Sequence, residues 1–122
     1  MAIKIYTENF PEKIMEKLFS NHVISQKDDI LAVYVNTFLG HINDACIITP
    51  EKIIQWINKR NAVERKVLSF KKIKDITYEE KGLYGYINYH LSTKKTFVIK
   101  LNRQDGEKFY NLSRETWEKS EE

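Results

Sequence analysis

The chain has 122 residues, of which 42% are hydrophobic and 30% charged, and its formal net charge is +3. Such a length and composition exclude a disordered chain and suffice to bury a core without metals or disulfides. Its one cysteine, Cys46, cannot form an internal disulfide, and no apolar run reaches the roughly 18 residues of a membrane span. We therefore predict a single domain over residues 1–122, located in the cytoplasm and made without a signal peptide.

The first 27 residues are predicted to form a helical extension. Pro11 and Glu12 are typical of a first helical turn. Four apolar residues then recur at helical spacing: Ile14, Met15, Leu18 and Phe19. This stripe could dock on its own chain or on another subunit. We favour its own chain, because a helix of about nine residues is rarely stable alone.

The rest of the chain predicts seven strands, from runs rich in β-branched and aromatic residues bounded by turn residues. They span residues 30–38, 43–49, 53–57, 66–70, 75–80, 84–91 and 96–101. In the sixth strand, the odd-numbered residues from Gly85 to Leu91 share one face. The even-numbered residues from Tyr84 to His90 share the other.

The order of these elements predicts a mainly β protein. Seven short strands joined by short turns are typical of an antiparallel barrel or sandwich. A helix capped by Asn102 or Asp105 closes the chain, and residues 119–122 are predicted to fray. Strands and helices do not alternate, which disfavours a parallel sheet.

Three stretches of the sequence resemble a known family. Residues 45–54, ACIITPEKII, combine an apolar strand, a threonine-containing turn and a second apolar strand. Residues 70–76, FKKIKDI, resemble the family's approach to its fifth strand, and residues 106–112 lie where its closing helix is expected. The family is that of the bacterial pleckstrin-homology-like (PH-like) domains, and the resemblance covers residues 28–118. It implies a seven-stranded barrel or sandwich capped by a C-terminal helix, with residues 1–27 as an addition.

The PH-like resemblance implies binding but not one ligand, because this fold hosts lipid binding, peptide binding and self-association. Members that bind phosphoinositides carry basic residues on and between the first two strands. The corresponding loop here, residues 39–43, contains neither Lys nor Arg. The resemblance therefore counts against a phosphoinositide site at that loop.

The basic segment, residues 59–74, is the first candidate binding site. Glu64 is its one acidic residue, against seven cations: Lys59, Arg60, Arg65, Lys66, Lys71, Lys72 and Lys74. Grouped at one rim of a barrel, they could bind the phosphates of an acidic lipid or of nucleic acid. The alternative interpretation is a solvated strand edge, whose lysines prevent aggregation.

Five of the seven tyrosines also permit two interpretations: Tyr34, Tyr78, Tyr84, Tyr86 and Tyr89. Interleaved with basic residues, exposed tyrosines could stack on bases or line a peptide groove. Alternatively, they pack against one another across neighbouring strands and stabilise the sheet.

The sequence contains no convincing catalytic or metal-binding set. His22, His41 and His90 lack metal-ligand spacing, and Cys46 lies within an apolar strand, where a buried inert thiol is expected. An enzyme would need His90 or Tyr86 to meet a second titratable group in a pocket. We predict a bacterial module that is not an enzyme, uses no cofactor and binds no metal.

The predicted activity is non-catalytic binding of a protein partner or self-association. An anionic-surface binder, using the basic segment on acidic lipid or nucleic acid, is the alternative. A small enzyme is the least favoured of the three interpretations.

Overall fold

The computed structural model describes residues 2–38, 41–59 and 62–121. Within them lie eight strands, two α-helices and one 3-10 turn. In chain order these are β1 (Ala2–Tyr6), α1 (Glu12–Ser20), β2 (Ala32–Phe38), β3 (His41–Ile48), β4 (Lys52–Lys59), β5 (Ala62–Ser69), the 3-10 turn (Phe70–Lys72), β6 (Ile73–Lys81), β7 (Tyr84–Leu91), β8 (Thr96–Asn102) and α2 (Arg103–Ser120). The protein is mainly β, antiparallel and ends in a helix, as predicted.

The chain divides into two compact units, Met1–Leu68 and Ser69–Glu122. The first contains a five-stranded sheet in the order β1-β2-β3-β4-β5, and the second a three-stranded sheet in the order β6-β7-β8. Neither sheet closes on itself within the described residues. The single domain over residues 1–122 and the closed barrel stay predictions.

In the first unit, α1 packs on the chain's own sheet, which confirms the predicted docking. Leu18 is fully buried in a cluster that includes Val33, Ile47 and Trp56. Burial of apolar side chains supplies most of the stability of so short a helix. Phe19, predicted to belong to the same stripe, is instead exposed.

The strand β1 corrects the predicted count of seven strands, and it adds a strand to the helical extension predicted over residues 1–27. It pairs antiparallel with β2, with Ile5 opposite Tyr34 and Tyr6 opposite Val33. Four alternating residues beside a chain end are too weak a pattern to indicate a strand. Pairing with β2 stabilises this one.

In the second unit, α2 covers one face of the sheet. The hydroxyls of Tyr89 and Ser113 are 2.9 Å apart, and Trp117 Nε1 donates to the carbonyl oxygen of Ile73 at 3.3 Å. The helix begins as predicted, because the Asn102 side chain accepts a hydrogen bond from the Asp105 amide at 2.8 Å. It continues through Ser120, although residues 119–122 were predicted to fray; residue 122 lies outside the described residues.

The two faces of the second sheet differ as the sequence predicted for β7. Gly85, Ile87 and Tyr89 are buried on the face beneath α2. The alternate residues, from Tyr84 to His90, are exposed or half-buried on the other face. We call this second surface the open face.

Candidate anion-binding site

The basic segment is divided between the two units. Lys59, Arg65 and Lys66 belong to the strands β4 and β5 of the first unit. Lys71 and Lys72 lie in the 3-10 turn of the second unit, and Lys74 lies in β6. Arg60 and the side chain of Lys59 lie outside the described residues.

Arg65 and Lys66 do not form one cluster, since neighbouring side chains of a strand point to opposite faces. The Nε of Arg65 donates to the carbonyl oxygen of Val23 at 3.1 Å. Lys66 Nζ lies 3.8 Å from a carboxylate oxygen of Glu64. The Arg65 contact holds the segment that follows α1 against β5, which is a structural role.

The second unit gathers basic side chains around a hollow of about 250 Å³. Its lining residues come from β6, from the end of β7 and from the turn before β8: Lys74, His90, Leu91, Ser92, Lys94, Lys95 and Thr96. We call this site the lysine hollow. Of the seven cations of the basic segment, Lys74 lines it.

The β7–β8 turn positions Lys94 and Lys95. The Leu91 amide donates to the Lys95 carbonyl at 2.8 Å, and the Lys94 amide donates to the Leu91 carbonyl at 3.0 Å. Lys94 has φ = +71°, in the left-handed region. The Ser92 amide donates to the Lys72 carbonyl at 3.0 Å, so the 3-10 turn is fastened to this hairpin.

A bulge brings Lys74 to the lysine hollow. Ile73 pairs with Leu91 and Asp75 pairs with His90, so Lys74 is an extra residue in β6. An extra residue disrupts the ladder and redirects its side chain.

The imidazole of His90 is held between two hydroxyls. Its Nε2 lies 2.8 Å from Thr77 Oγ1, and its Nδ1 lies 3.5 Å from Thr96 Oγ1. A threonine hydroxyl can donate or accept, so both ring nitrogens can be satisfied. The two hydroxyls orient the His90 ring. They do not act as its acid or base partners, because a threonine hydroxyl neither gains nor loses a proton near neutral pH.

The positive charge of the lysine hollow is not compensated within the described part of the chain. Lys74, Lys94 and Lys95 are exposed, and none forms an ion pair with a described carboxylate. Three ammonium groups around one concavity favour an anion with several acceptor oxygens. The volume lies below the roughly 300 Å³ at which ligand pockets usually begin, so the hollow suits a small anionic group.

Sequence reasoning did not name Lys94 or Lys95 as candidate binding residues. Two adjacent lysines in a hairpin are a signal, but a weak one. Their significance depends on the bulge at Lys74 and on the pairing of β6 with β7. Those are contacts between distant parts of the chain.

A second hollow, of about 200 Å³, lies in the first unit. Its lining contains one lysine among polar and apolar residues: Lys17, Asn21, His41, Ile42, Trp56 and Asn58. Residues 41–43, predicted to belong to a loop over residues 39–43 that lacks basic residues, lie in β3, and Leu39 and Gly40 lie outside the described residues. This hollow lacks the grouped charge of the first.

The tyrosines divide between two environments, and a binding role for the exposed ones stays a prediction. Tyr34 and Tyr89 are buried, and Tyr78 stacks on Tyr110 with ring centroids 5.3 Å apart. Burial, with the hydrogen bond to Glu80, raises the pKa of Tyr78 to about 12. Tyr84 and Tyr86 instead lie on the open face.

Cys46 is buried, as predicted, and burial raises the pKa of its thiol. A thiol that resists ionisation is a poor nucleophile. Over residues 2–38, 41–59 and 62–121, no three His, Cys, Asp or Glu side chains are grouped to hold a metal ion.

No protein-family model matches the chain, and neither a curated protein nor a solved structure matches it. Among the helices of the described residues, none has both the length and the apolar character required to cross a bilayer.

Proposed function

We propose that the chain is a non-catalytic binding module that holds an anionic group in the lysine hollow. This proposal is supported above all by one observation: Lys74, Lys94 and Lys95 line the same concavity. None of the three forms an ion pair with a carboxylate of the described residues. The ligand is multiply charged and phosphate-like, because several ammonium groups bind several oxygens at once.

The chemistry of the described lining supports a binding role. No carboxylate or thiol is among the lining residues, and the His90 ring contacts the hydroxyls of Thr77 and Thr96. Ammonium and hydroxyl groups are the donors that hold an anion.

We further propose a PH-like relation for this module. The support is the predominance of antiparallel strands and the C-terminal helix. We also propose that the protein is cytoplasmic. The PH-like resemblance counts against a phosphoinositide site at residues 39–43, which contain neither Lys nor Arg. The lysine hollow modifies the basic-segment hypothesis: of the seven cations it keeps Lys74, and it adds Lys94 and Lys95.

Replacing the three lysines of the hollow by glutamine should weaken binding of inorganic tripolyphosphate by about ten-fold or more. The wild-type affinity should also fall steeply with salt, because bound cations and phosphates release counterions. Isothermal titration calorimetry with the Lys74→Gln, Lys94→Gln, Lys95→Gln triple variant measures both.

A second triple variant controls for net charge. It carries glutamine at three exposed lysines outside the hollow: Lys13, Lys27 and Lys108. Its affinity for tripolyphosphate should stay near the wild-type value. Equal losses in both variants, or no binding by the wild-type protein at low salt, would overturn the proposed site.

Self-association is a second candidate function, favoured by one observation. The edge strand β5 exposes Val63 and Val67, whose exposed fractions are 58% and 48%. An apolar strand edge can pair with a second chain. Light scattering after size-exclusion chromatography should then show a dimer that Val67→Lys dissociates; a monomer at high concentration contradicts this function.

A further inference from the structure

The open face leads directly into the lysine hollow. On β7 its residues are Tyr84, Tyr86, Asn88 and His90, and the last of these lines the hollow. At about 3.4 Å per residue, the row from Tyr84 to His90 is roughly 20 Å long. One extended ligand could therefore contact the tyrosines and fill the hollow together.

The two tyrosines of the row are flanked by cations from both neighbouring strands. Lys100 Nζ, from β8, lies 3.9 Å from the centroid of the Tyr84 ring. Lys81 Nζ, from β6, lies 5.9 Å from the centroid of the Tyr86 ring. Each ammonium group lies over its ring in a cation–π contact. A ligand that stacks on that face therefore displaces the ammonium group, which can then pair with a phosphate of the same ligand.

Besides Lys81 and Lys100, the described strands beside the row contribute an exposed valine and two carboxylates. Val98 of β8 lies opposite Asn88 and is 46% exposed, and Tyr84 is 44% exposed. The carboxylates are those of Glu79, opposite Tyr86 and 3.8 Å from Lys81 Nζ, and of Asp75, opposite His90 and 3.3 Å from Arg114 Nη1. The face therefore offers flat apolar surface and an excess of positive charge.

We infer that the open face binds single-stranded nucleic acid, with bases on Tyr84 and Tyr86 and a backbone phosphate in the lysine hollow. This inference rests on the proposed function, which supplies the phosphate site. Aromatic faces along a strand, cations beside them and an anion site at the end of the row match the alternation of bases and phosphates in an extended strand. A compact anion would use the hollow alone, and a duplex does not present the faces of its bases.

The test is fluorescence anisotropy of the full chain with a labelled single-stranded oligonucleotide of mixed sequence. Replacing Tyr84 and Tyr86 by leucine should weaken oligonucleotide binding by about ten-fold per tyrosine, since stacking is lost. The matched variant, with phenylalanine at both positions, keeps the rings and should bind nearly as the wild-type protein does. Circular dichroism checks that all variants are folded.

Tripolyphosphate separates the inference from the proposed function. The first outcome is that the leucine variant binds tripolyphosphate as tightly as the wild-type protein does but binds the oligonucleotide more weakly. This result supports both the anion site and the nucleic-acid inference. A second outcome is that the oligonucleotide binds no more tightly than tripolyphosphate and that its affinity is the same in the leucine variant and in the wild-type protein. In that case the nucleic-acid inference is wrong and the anion site is still supported. If neither binds at low salt, both are wrong.

Two competing ligands complete the design. A duplex of the same sequence should compete at least ten-fold less well than the single strand, because its bases are stacked on one another. Equal competition by the duplex would overturn the inference. The inference would also be overturned if phosphatidylserine vesicles, and not the oligonucleotide, bound the protein in a way that depends on the two tyrosines. That outcome would identify a membrane surface as the ligand.

Discussion

Replacing Gly85 by alanine should destabilise the protein by about 2 kcal/mol or more, because the second sheet has no room for a β-carbon there. A Cβ at Gly85 would lie 2.7 Å from Cε1 of Tyr78 and closer still to its hydroxyl oxygen. The Tyr78 ring cannot easily move away. It stacks on Tyr110, and its hydroxyl donates to Glu80 at 3.0 Å.

The helix α2 also prevents the Tyr78 ring from moving away from Gly85. A Cβ at Gly106 would lie 3.0 Å from the Tyr78 hydroxyl and 3.3 Å from the Gly85 Cα. Tyr78 therefore fills the gap between two glycines, one in β7 and one in α2. Glycine at both positions permits this close approach of helix and strand.

Urea denaturation of the Gly85→Ala variant measures the loss, and a double-mutant cycle identifies its cause. In a Tyr78→Ala background the same substitution should cost far less, because the obstructing ring is gone. Equal costs in both backgrounds would show that the Tyr78 contact is not responsible. Gly82→Asn is the comparison at a site with free space: its φ is +62°, which asparagine tolerates, and no atom lies within 4 Å of an added Cβ.

The sequence predicted those features that depend on local pattern. Runs rich in β-branched and aromatic residues, bounded by turn residues, identified the seven strands β2 to β8. Alternation assigned the faces of β7 correctly, since a side-chain period of two is a property of any strand. The Asn102 cap of α2 was likewise readable, because capping needs only neighbouring residues.

The missed features depend on contacts between distant residues. The strand β1 needs β2 as a partner, and the contact of Arg65 with the Val23 carbonyl spans forty-two positions. The basic segment appears continuous in sequence, yet a cluster in sequence is not a cluster in space. Lys74 reaches the hollow because of a bulge, and its companions Lys94 and Lys95 come from the turn after the next strand, β7.

The open face depends both on local sequence pattern and on contacts between distant residues. Its period was predictable, but the alternatives for the tyrosines were not resolved by the sequence. Which tyrosines become exposed depends on which side of the sheet α2 covers. Because α2 packs over Gly85, Ile87 and Tyr89, the alternate residues Tyr84 and Tyr86 remain available.

A buried carboxylate in the first unit gives the second large expected effect. Asp44, on β3, accepts a side-chain hydrogen bond from Asn36, but its Oδ1 is buried with no hydrogen-bond partner in the described structure. The Oδ1 of Asn36 is also buried and also has no hydrogen-bond partner in the described structure. Burial raises the pKa of the Asp44 carboxyl above its ordinary value of 3.8, and the Asn36 bond only partly opposes this.

The sign of the pH dependence follows from the raised pKa. Between the unfolded and folded pKa values, the folded protein binds the proton of Asp44 more than the unfolded chain does. The free energy of unfolding therefore falls as pH rises through this window. The contribution is fully present below the unfolded pKa and is lost above the folded pKa.

Asp44→Asn should therefore stabilise the protein at pH 7, by about 1–2 kcal/mol, by removing a poorly solvated carboxylate. The new amide could also donate to the unpartnered Oδ1 of Asn36. Urea denaturation should show the advantage of the variant shrinking as pH is lowered toward the unfolded pKa. A variant less stable than wild type at pH 7, or an advantage that does not vary with pH, would contradict this account.

Asp28 provides the control of opposite sign. Its carboxylate accepts a hydrogen bond from the Ser25 amide at 2.8 Å and lies 3.1 Å from Lys52 Nζ. The Ser25 bond, with help from Lys52, holds the pKa of Asp28 below its ordinary value despite some desolvation. Its stabilisation is present above the unfolded pKa and is lost as pH falls through the folded one. Asp28→Asn should thus lower stability at pH 7, and opposite shifts in the two variants would show that local environment, not net charge, determines each effect.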